Sequence, residues 1–308
     1  MDSPMNGRKH GVIGSVVVAL LIAVVVVLGD GVFAADRAPF AIGRLWQVEK
    51  GTAAPSYVFG TFHVPDPRVE HLPARVENLF GTIDRLVLEV HPDELGRAGD
   101  LALLPPGETL DRFLDAGTRS QLLEMGGEAG LPANAVLRMR PMMIAGVVSI
   151  PPRMIRRLAA GQQGVDLQLA KSAIGRGIPI YALESVEEQI DTLSAMEHGH
   201  EAEILRMTVA LRSQREEIYE QMLEAYLSGD ILAFLDMTLE TFRGEDEALA
   251  EVFMDEILYR RNRLFVTRLS RHLADGNALI AVGAAHIPGR DGVLDLLEAQ
   301  GYRITRLE

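Results

Sequence analysis

Tyr57-Val-Phe-Gly-Thr-Phe-His-Val-Pro65, YVFGTFHVP, runs a short apolar stretch into a glycine, a histidine, an apolar residue and a proline. A second stretch of the same design, IAVGAAHIP, spans Ile280 to Pro288. In each, the apolar run predicts a strand and the glycine a sharp turn off its end, so that His63 and His286 project over the edge of a sheet. One Gly-x-x-His means little, but two of them point to a shared site.

Outward from the first stretch, Leu45–Glu49, the turn-rich Lys50–Ser56 and Tyr57–Phe59 read as a β-hairpin. Apolar residues at helical spacing from Leu72 to about Thr82 predict a helix, and Asp84–Val90 a buried strand that carries Glu89. The second stretch repeats the order: strand Ala278–Val282, the histidine turn, helix Asp291–Gln300 closed by Gly301, and strand Tyr302–Leu307. Two strand-GxxH-helix-strand units imply parallel pairing with right-handed crossovers. The expected fold is α+β or α/β, a central mixed sheet with ligands outside the carboxyl ends of its strands.

Between the units the chain reads mostly as amphipathic helix, a large insertion or lid over about 101–275. Glu108–Met125, Pro141–Ala160, Val165–Arg176, Ser185–Met196, Glu201–Leu227 and Glu245–Leu273 each suit a helix, and Ile178–Leu183 a third strand ending at Glu184. No linker divides residues 36–308, which read as a single domain. Met139, Met142, Met143 and Met154 suit an adaptable helical core.

The composition, 48% hydrophobic and 24% charged, is that of a globular chain with an apolar attachment. That attachment is residues 1–35. Arg8 and Lys9 precede the uncharged run Val12–Leu28, and Val32 and Ala34 fit the small-residue pattern of a signal-peptidase site. The reading is a signal peptide and an extracytoplasmic protein, periplasmic or secreted; the alternative is a membrane anchor formed by residues 11–28. With no cysteine, the chain has no disulfide, thiol nucleophile or cysteine metal ligand. A net charge of −13 argues against nucleic acid and anionic lipid as partners.

The chemistry-bearing residues fall at strand ends. His63, His286 and Glu89 make a two-histidine, one-carboxylate set for a divalent ion such as Zn²⁺, Mn²⁺ or Co²⁺; alternatively Glu89 is the general base. Glu184 is a further ligand, an orienting residue or a cap for the helix near Ser185. Arg261 and Asn262 suit a substrate carboxylate or an oxyanion, unless Arg261 only pairs with Glu256 or Asp255 on a solvated face. Asp166 reads as a cap or first-turn acid. His198 and His200 resemble a metal cluster but fall at a helix junction, and His71, His91 and His272 read as surface residues.

The chain resembles the TraB/GumN family, whose eukaryotic relatives include the Tiki proteins. The resemblance rests on Gly60-Thr-Phe-His63, Leu86-Val-Leu-Glu89, Gly164-Val-Asp166, Ala182-Leu-Glu-Ser-Val-Glu-Glu-Gln189, Arg261-Asn262, Val282-Gly-Ala-Ala-His286, Gly289 and Gly301-Tyr302. Ala285 stands where the second motif often has glycine. The resemblance implies a metal-dependent peptidase-like fold, with some members implicated in removing or inhibiting extracellular signalling peptides. It implies a secreted or envelope-associated hydrolase of peptide or amide bonds, taking a peptide or small-molecule substrate. The alternatives are a peptide-sequestering protein without catalysis, a metal-free His/Glu hydrolase like the more distant erythromycin-esterase group, and a role in envelope polysaccharide production.

Overall fold

The structure is a computed structural model describing residues 38–243 and 254–308. The expected leader or anchor, and the part of the expected Glu245–Leu273 helix before Met254, lie outside the described residues. Among the described residues, no helix is long and apolar enough to cross a membrane.

Among the described residues, six strands form one mixed sheet: β1 (Leu45–Glu49), β2 (Ser56–Thr61), β3 (Arg85–Leu88), β4 (Ile180–Ala182), β5 (Ala278–Gly283) and β6 (Arg303–Arg306), in the order β4-β3-β5-β2-β1-β6. The β1–β2 hairpin forms as expected, with Leu45 opposite Phe59. β5 lies at the centre and is buried along its whole length, which suits the unbroken apolar run ALIAVG.

The pairing departs from expectation in one respect. The two strand-GxxH-helix-strand units do not each close on themselves; they interleave. β5 inserts between β3 and β2 and pairs parallel with both, while β6 pairs antiparallel with β1 at the far edge. The consequence for the site is direct. In the β2–β5 register Gly60 faces Val282 and Thr61 faces Gly283, so both Gly-x-x-His turns leave the sheet side by side.

Four expected helices are broken or shortened, and of Glu108–Met125 the first part is only a 3₁₀ turn, Leu110–Arg112, before the helix Ala116–Glu128. Pro141–Ala160 divides into Pro141–Ser149 and Pro152–Ala159, because Pro151 and Pro152 lack the N–H groups that would continue the ladder. Glu201–Leu227 divides into Glu201–Ala210 and Arg215–Ser228. A π-helical turn, Met254–Tyr259, precedes the helix Arg260–Asp275. On that helix Arg261, Asn262, Phe265, Val266, Leu269, His272 and Leu273 are buried at three- and four-residue spacing. The stripe is apolar where it packs on the core and polar at its first turn.

The core methionines are buried as expected. His272, read from sequence as a surface residue, is instead 3% exposed. It sits on the stripe that turns inward, against the ring of Tyr181 and accepting from Arg271 Nε at Nε2. Burial and the Arg271 charge push its imidazole below its usual range.

Candidate active site

The carboxyl ends of β2, β3 and β5 bring His63, Glu89 and His286 into one buried cluster, and Glu184 follows β4 beside them. His63 is held first by its own loop. Asp66, buried three residues later, accepts from Arg68 Nε and Nη2 at 2.8 and 2.9 Å, from the Arg68 backbone N–H at 2.9 Å and from the Tyr219 hydroxyl at 3.2 Å. The Tyr226 hydroxyl donates to the Gly60 carbonyl at 3.0 Å, fixing the strand end. Gly164 presses against the same loop: a Cβ there would stand 2.1 Å from the His63 carbonyl oxygen, so only glycine admits this approach.

That approach delivers Asp166. It lies in the first turn of the helix Val165–Gly175, but caps nothing; its carboxylate accepts from Thr61 Oγ1 at 2.8 Å and from His63 Nδ1 at 2.5 Å. Of the two readings of Asp166, cap or first-turn acid, the second holds, and the carboxylate serves His63 instead of the helix end. With Nδ1–H given to Asp166, a neutral His63 presents Nε2 as a bare acceptor, and Nε2 is buried with no partner.

His286 is arranged in the same sense by other residues. Asn262 donates from Nδ2 to the Asp291 carbonyl at 2.9 Å, which turns its Oδ1 to accept from His286 Nδ1–H at 2.6 Å. Nε2 then accepts from Arg261 Nη1 at 3.1 Å. Burial pushes the His286 pKa down, Glu89 opposes this, and Arg261 and His63 add to the lowering, which ends at about 3. At neutral pH the ring is uncharged, with its only lone pair on Nε2.

Glu89 is 4% exposed and fully engaged. Oε1 accepts from the Gly283 backbone N–H at 2.6 Å and Oε2 from Arg261 Nη2 at 2.7 Å; His286 Nε2 lies 3.9 Å from Oε1. Burial raises its pKa, but His286, Arg261, His63 and the Gly283 N–H together bring it down to about 2. Arg261 is the permanent cation in this set. Glu184 accepts from Arg261 Nε at 3.1 Å and again from Nη2, while Gln189 Nε2 donates to it at 2.9 Å. Burial pushes the Glu184 carboxyl up against the lowering effect of Arg261.

Two further sequence readings are settled by these contacts. Arg261 is buried, and it is Arg260 and Arg263 that pair with Glu256 and Asp255 on the solvated side. The helix after β4 is capped by Ser185, in a capping box with Glu188, so Glu184 is free to serve the cluster. His71 and His198 are exposed, and His200 pairs with Glu203 at 3.7 Å.

The residues can be tested as a metal site. Two imidazoles, each tied at Nδ1 and presenting Nε2, beside a carboxylate, are the right donor chemistry, and the unpartnered Nε2 of His63 is what a ligand would satisfy. As the side chains stand, however, no group of three or more His, Asp or Glu among the described residues is gathered as a metal would gather it, and Arg261 occupies His286.

The sequence profile of the TraB/PrgY/gumN family matches residues 44–306, which takes in every residue of this cluster. The chain belongs to that family. Among curated proteins it is 26% identical over 312 residues to Metalloprotease TIKI2 of Danio rerio, covering 84% of this chain and 60% of the relative. It is 23% identical over 325 residues to the Metalloprotease TIKI homolog of Amphimedon queenslandica, covering 85% and 61%. To Metalloprotease TIKI1 of Homo sapiens it is 25% identical over 310 residues, covering 84% and 61%. The chain thus spans about three fifths of the length of these relatives. No solved structure was found to match it.

Proposed function

We propose that this chain is a hydrolase of peptide or amide bonds whose site is built from His63, Glu89 and His286, and that it uses a divalent metal ion. The observation that carries the reading is the bare, buried Nε2 of His63, aimed by Asp166, just past a strand hydrogen-bonded to the one that leads to His286. The relatives' names, Metalloprotease TIKI1 and TIKI2, support the same class.

His63 Nε2, His286 Nε2 and Glu89 would hold the ion, which is Mn²⁺, Co²⁺ or Zn²⁺ by donor type. Such an ion would lower the pKa of a bound water towards about 7 and polarise the scissile carbonyl. Asp166 and Asn262 fix the tautomers, and each keeps one Nε2 lone pair aimed inward. Glu89, held near 2, is ionised at every working pH, which suits a ligand better than a general base. Arg261 balances its charge and is shared with Glu184, so Arg261 serves the site from within and not as an open clamp for a substrate carboxylate.

A metal-free hydrolase is the second reading, favoured by Arg261 lying on His286 and by the absence of a gathered three-ligand group among the described residues. In it His63, backed by Asp166, takes a proton from water as general base. A peptide-library digest with and without chelator separates the two. Cleavage abolished by chelator and by His63→Ala supports the metal reading; cleavage that survives the chelator but not His63→Ala supports the second; no cleavage under any condition leaves peptide sequestration. We place the protein outside the cytoplasm on the strength of residues 1–35, and N-terminal sequencing of the protein recovered from the cell envelope or the medium checks this: a start other than at Ala35 or Asp36 refutes cleavage there.

A further inference from the structure

Every donor of Arg261 is committed. A guanidinium has five N–H groups. Nε–H and one Nη2–H go to the two oxygens of Glu184, the other Nη2–H to Glu89 Oε2, and the two Nη1–H to the Ile257 carbonyl at 3.3 Å and to His286 Nε2 at 3.1 Å. The fork therefore has two faces. Nε and Nη2 grip carboxylates, through charge-assisted bonds that are hard to give up. Nη1 holds only neutral acceptors.

We infer that Arg261 is a latch: its Nη1 and an incoming divalent cation compete for the single lone pair of His286 Nε2, so Arg261 sets how tightly the site takes metal. The inference rests on the metal reading above. His286 has no second lone pair to offer, because Nδ1–H is given to Asn262, so the ring either accepts from Arg261 or coordinates. His63 Nε2 carries no such occupant. The cluster is thus half open: His63 is ready, and His286 is released when the planar guanidinium tilts as a unit, which lifts Nη1 from Nε2 and loosens its bonds to Glu184 and Glu89. Glu89 and Glu184 both face this point, so an arriving cation meets acidic side chains beside Arg261.

The test is titration of the demetallated chain with Mn²⁺, Co²⁺ and Zn²⁺ by calorimetry, wild type beside Arg261→Lys, Arg261→Met, His63→Ala and His286→Ala, with circular dichroism to check folding. Lysine keeps the positive charge that Glu89 and Glu184 need but cannot form the fork, so Arg261→Lys frees Nε2 and binds about tenfold tighter or more. Arg261→Met, where it folds, binds tighter still. Equal or weaker binding by a folded Arg261→Lys, while both histidine variants lose the metal, overturns the latch and leaves the metal reading standing. No binding by any variant overturns both. The wild type gives an independent readout in ¹⁵N spectra: metal addition moves the His286 Nε2 signal and the Arg261 side-chain signals together. A shift of the His286 signal with Arg261 unmoved refutes the competition even if no Arg261 variant folds.

Discussion

Glu197 ends the helix Val186–Glu197 and is 6% exposed; its carboxylate accepts from the Met142 N–H at 2.9 Å, at the start of the helix Pro141–Ser149, with Arg140 Nη1 4.0 Å away. Burial pushes its pKa from 4.5 up to about 7, against the lowering effects of the Met142 N–H and Arg140 and with a small further rise from Glu201. The sign follows from linkage. A folded-state pKa above the unfolded one means that the native protein holds a proton which the unfolded chain has lost, so this stability is complete below pH 4.5 and is lost as pH rises through 7. The full shift corresponds to about 3 kcal/mol. Glu197→Gln keeps an oxygen for the Met142 N–H and removes the charge. The variant is therefore expected to gain on the wild type with rising pH, the difference in unfolding free energy moving by about 2–3 kcal/mol in its favour between pH 4 and pH 8.5. Urea unfolding of both proteins across that range measures the difference. A gap that stays constant with pH refutes the assignment of a buried, proton-holding carboxyl at Glu197.

Acid destabilises the site in the opposite sense. His286, at about 3 against 6.5 in the unfolded chain, contributes stability that is lost as pH falls from about 6.5 towards 3, and Glu89 extends the loss from 4.5 towards 2; a wild-type acid-unfolding curve that is steep below pH 6, and a His286→Gln curve that is flatter there, is the expected pair. Asp166→Asn removes the carboxylate behind His63 and is expected to weaken metal binding about 10–100-fold with the fold intact, as seen by calorimetry and circular dichroism; unchanged affinity would separate Asp166 from the site. Gly164→Ala drives a methyl group into the His63 carbonyl and is expected to lower stability by about 2 kcal/mol or more and to move the His63 ring signals; unchanged His63 signals would contradict the close approach.

Much of the sheet was legible because its signals are local. The runs YVFG and IAVG announce buried strands, and the repeated Gly-x-x-His announces a shared edge. The interleaving was not legible. Which strand pairs with which is fixed by packing between distant segments, and nothing in IAVG specifies insertion between β3 and β2. Glu89 and Glu184 were found because a carboxylate in or just beyond an apolar run needs a partner. Their partner is harder to see: Arg261 stands among Arg260 and Arg263, and only the four-residue steps from Arg261 to Phe265 and on to Leu269 show which of the three turns inward. A three-residue step from Leu269 would have placed His272 on the buried stripe. Asp166 escaped because an acid in a first helical turn is ordinary, and its contact with His63 depends on the close approach at Gly164. Nothing local marks Asp66, although it follows the motif by three residues, since its partner Tyr219 lies on a helix far along the chain.

The most direct measurement is the metal content of residues 36–308 by elemental mass spectrometry, beside His63→Ala and His286→Ala. The account predicts metal near one equivalent in the wild type, lost in both variants. A wild type that holds no metal even after incubation with Mn²⁺, Co²⁺ and Zn²⁺, or one whose metal survives both substitutions, would contradict it.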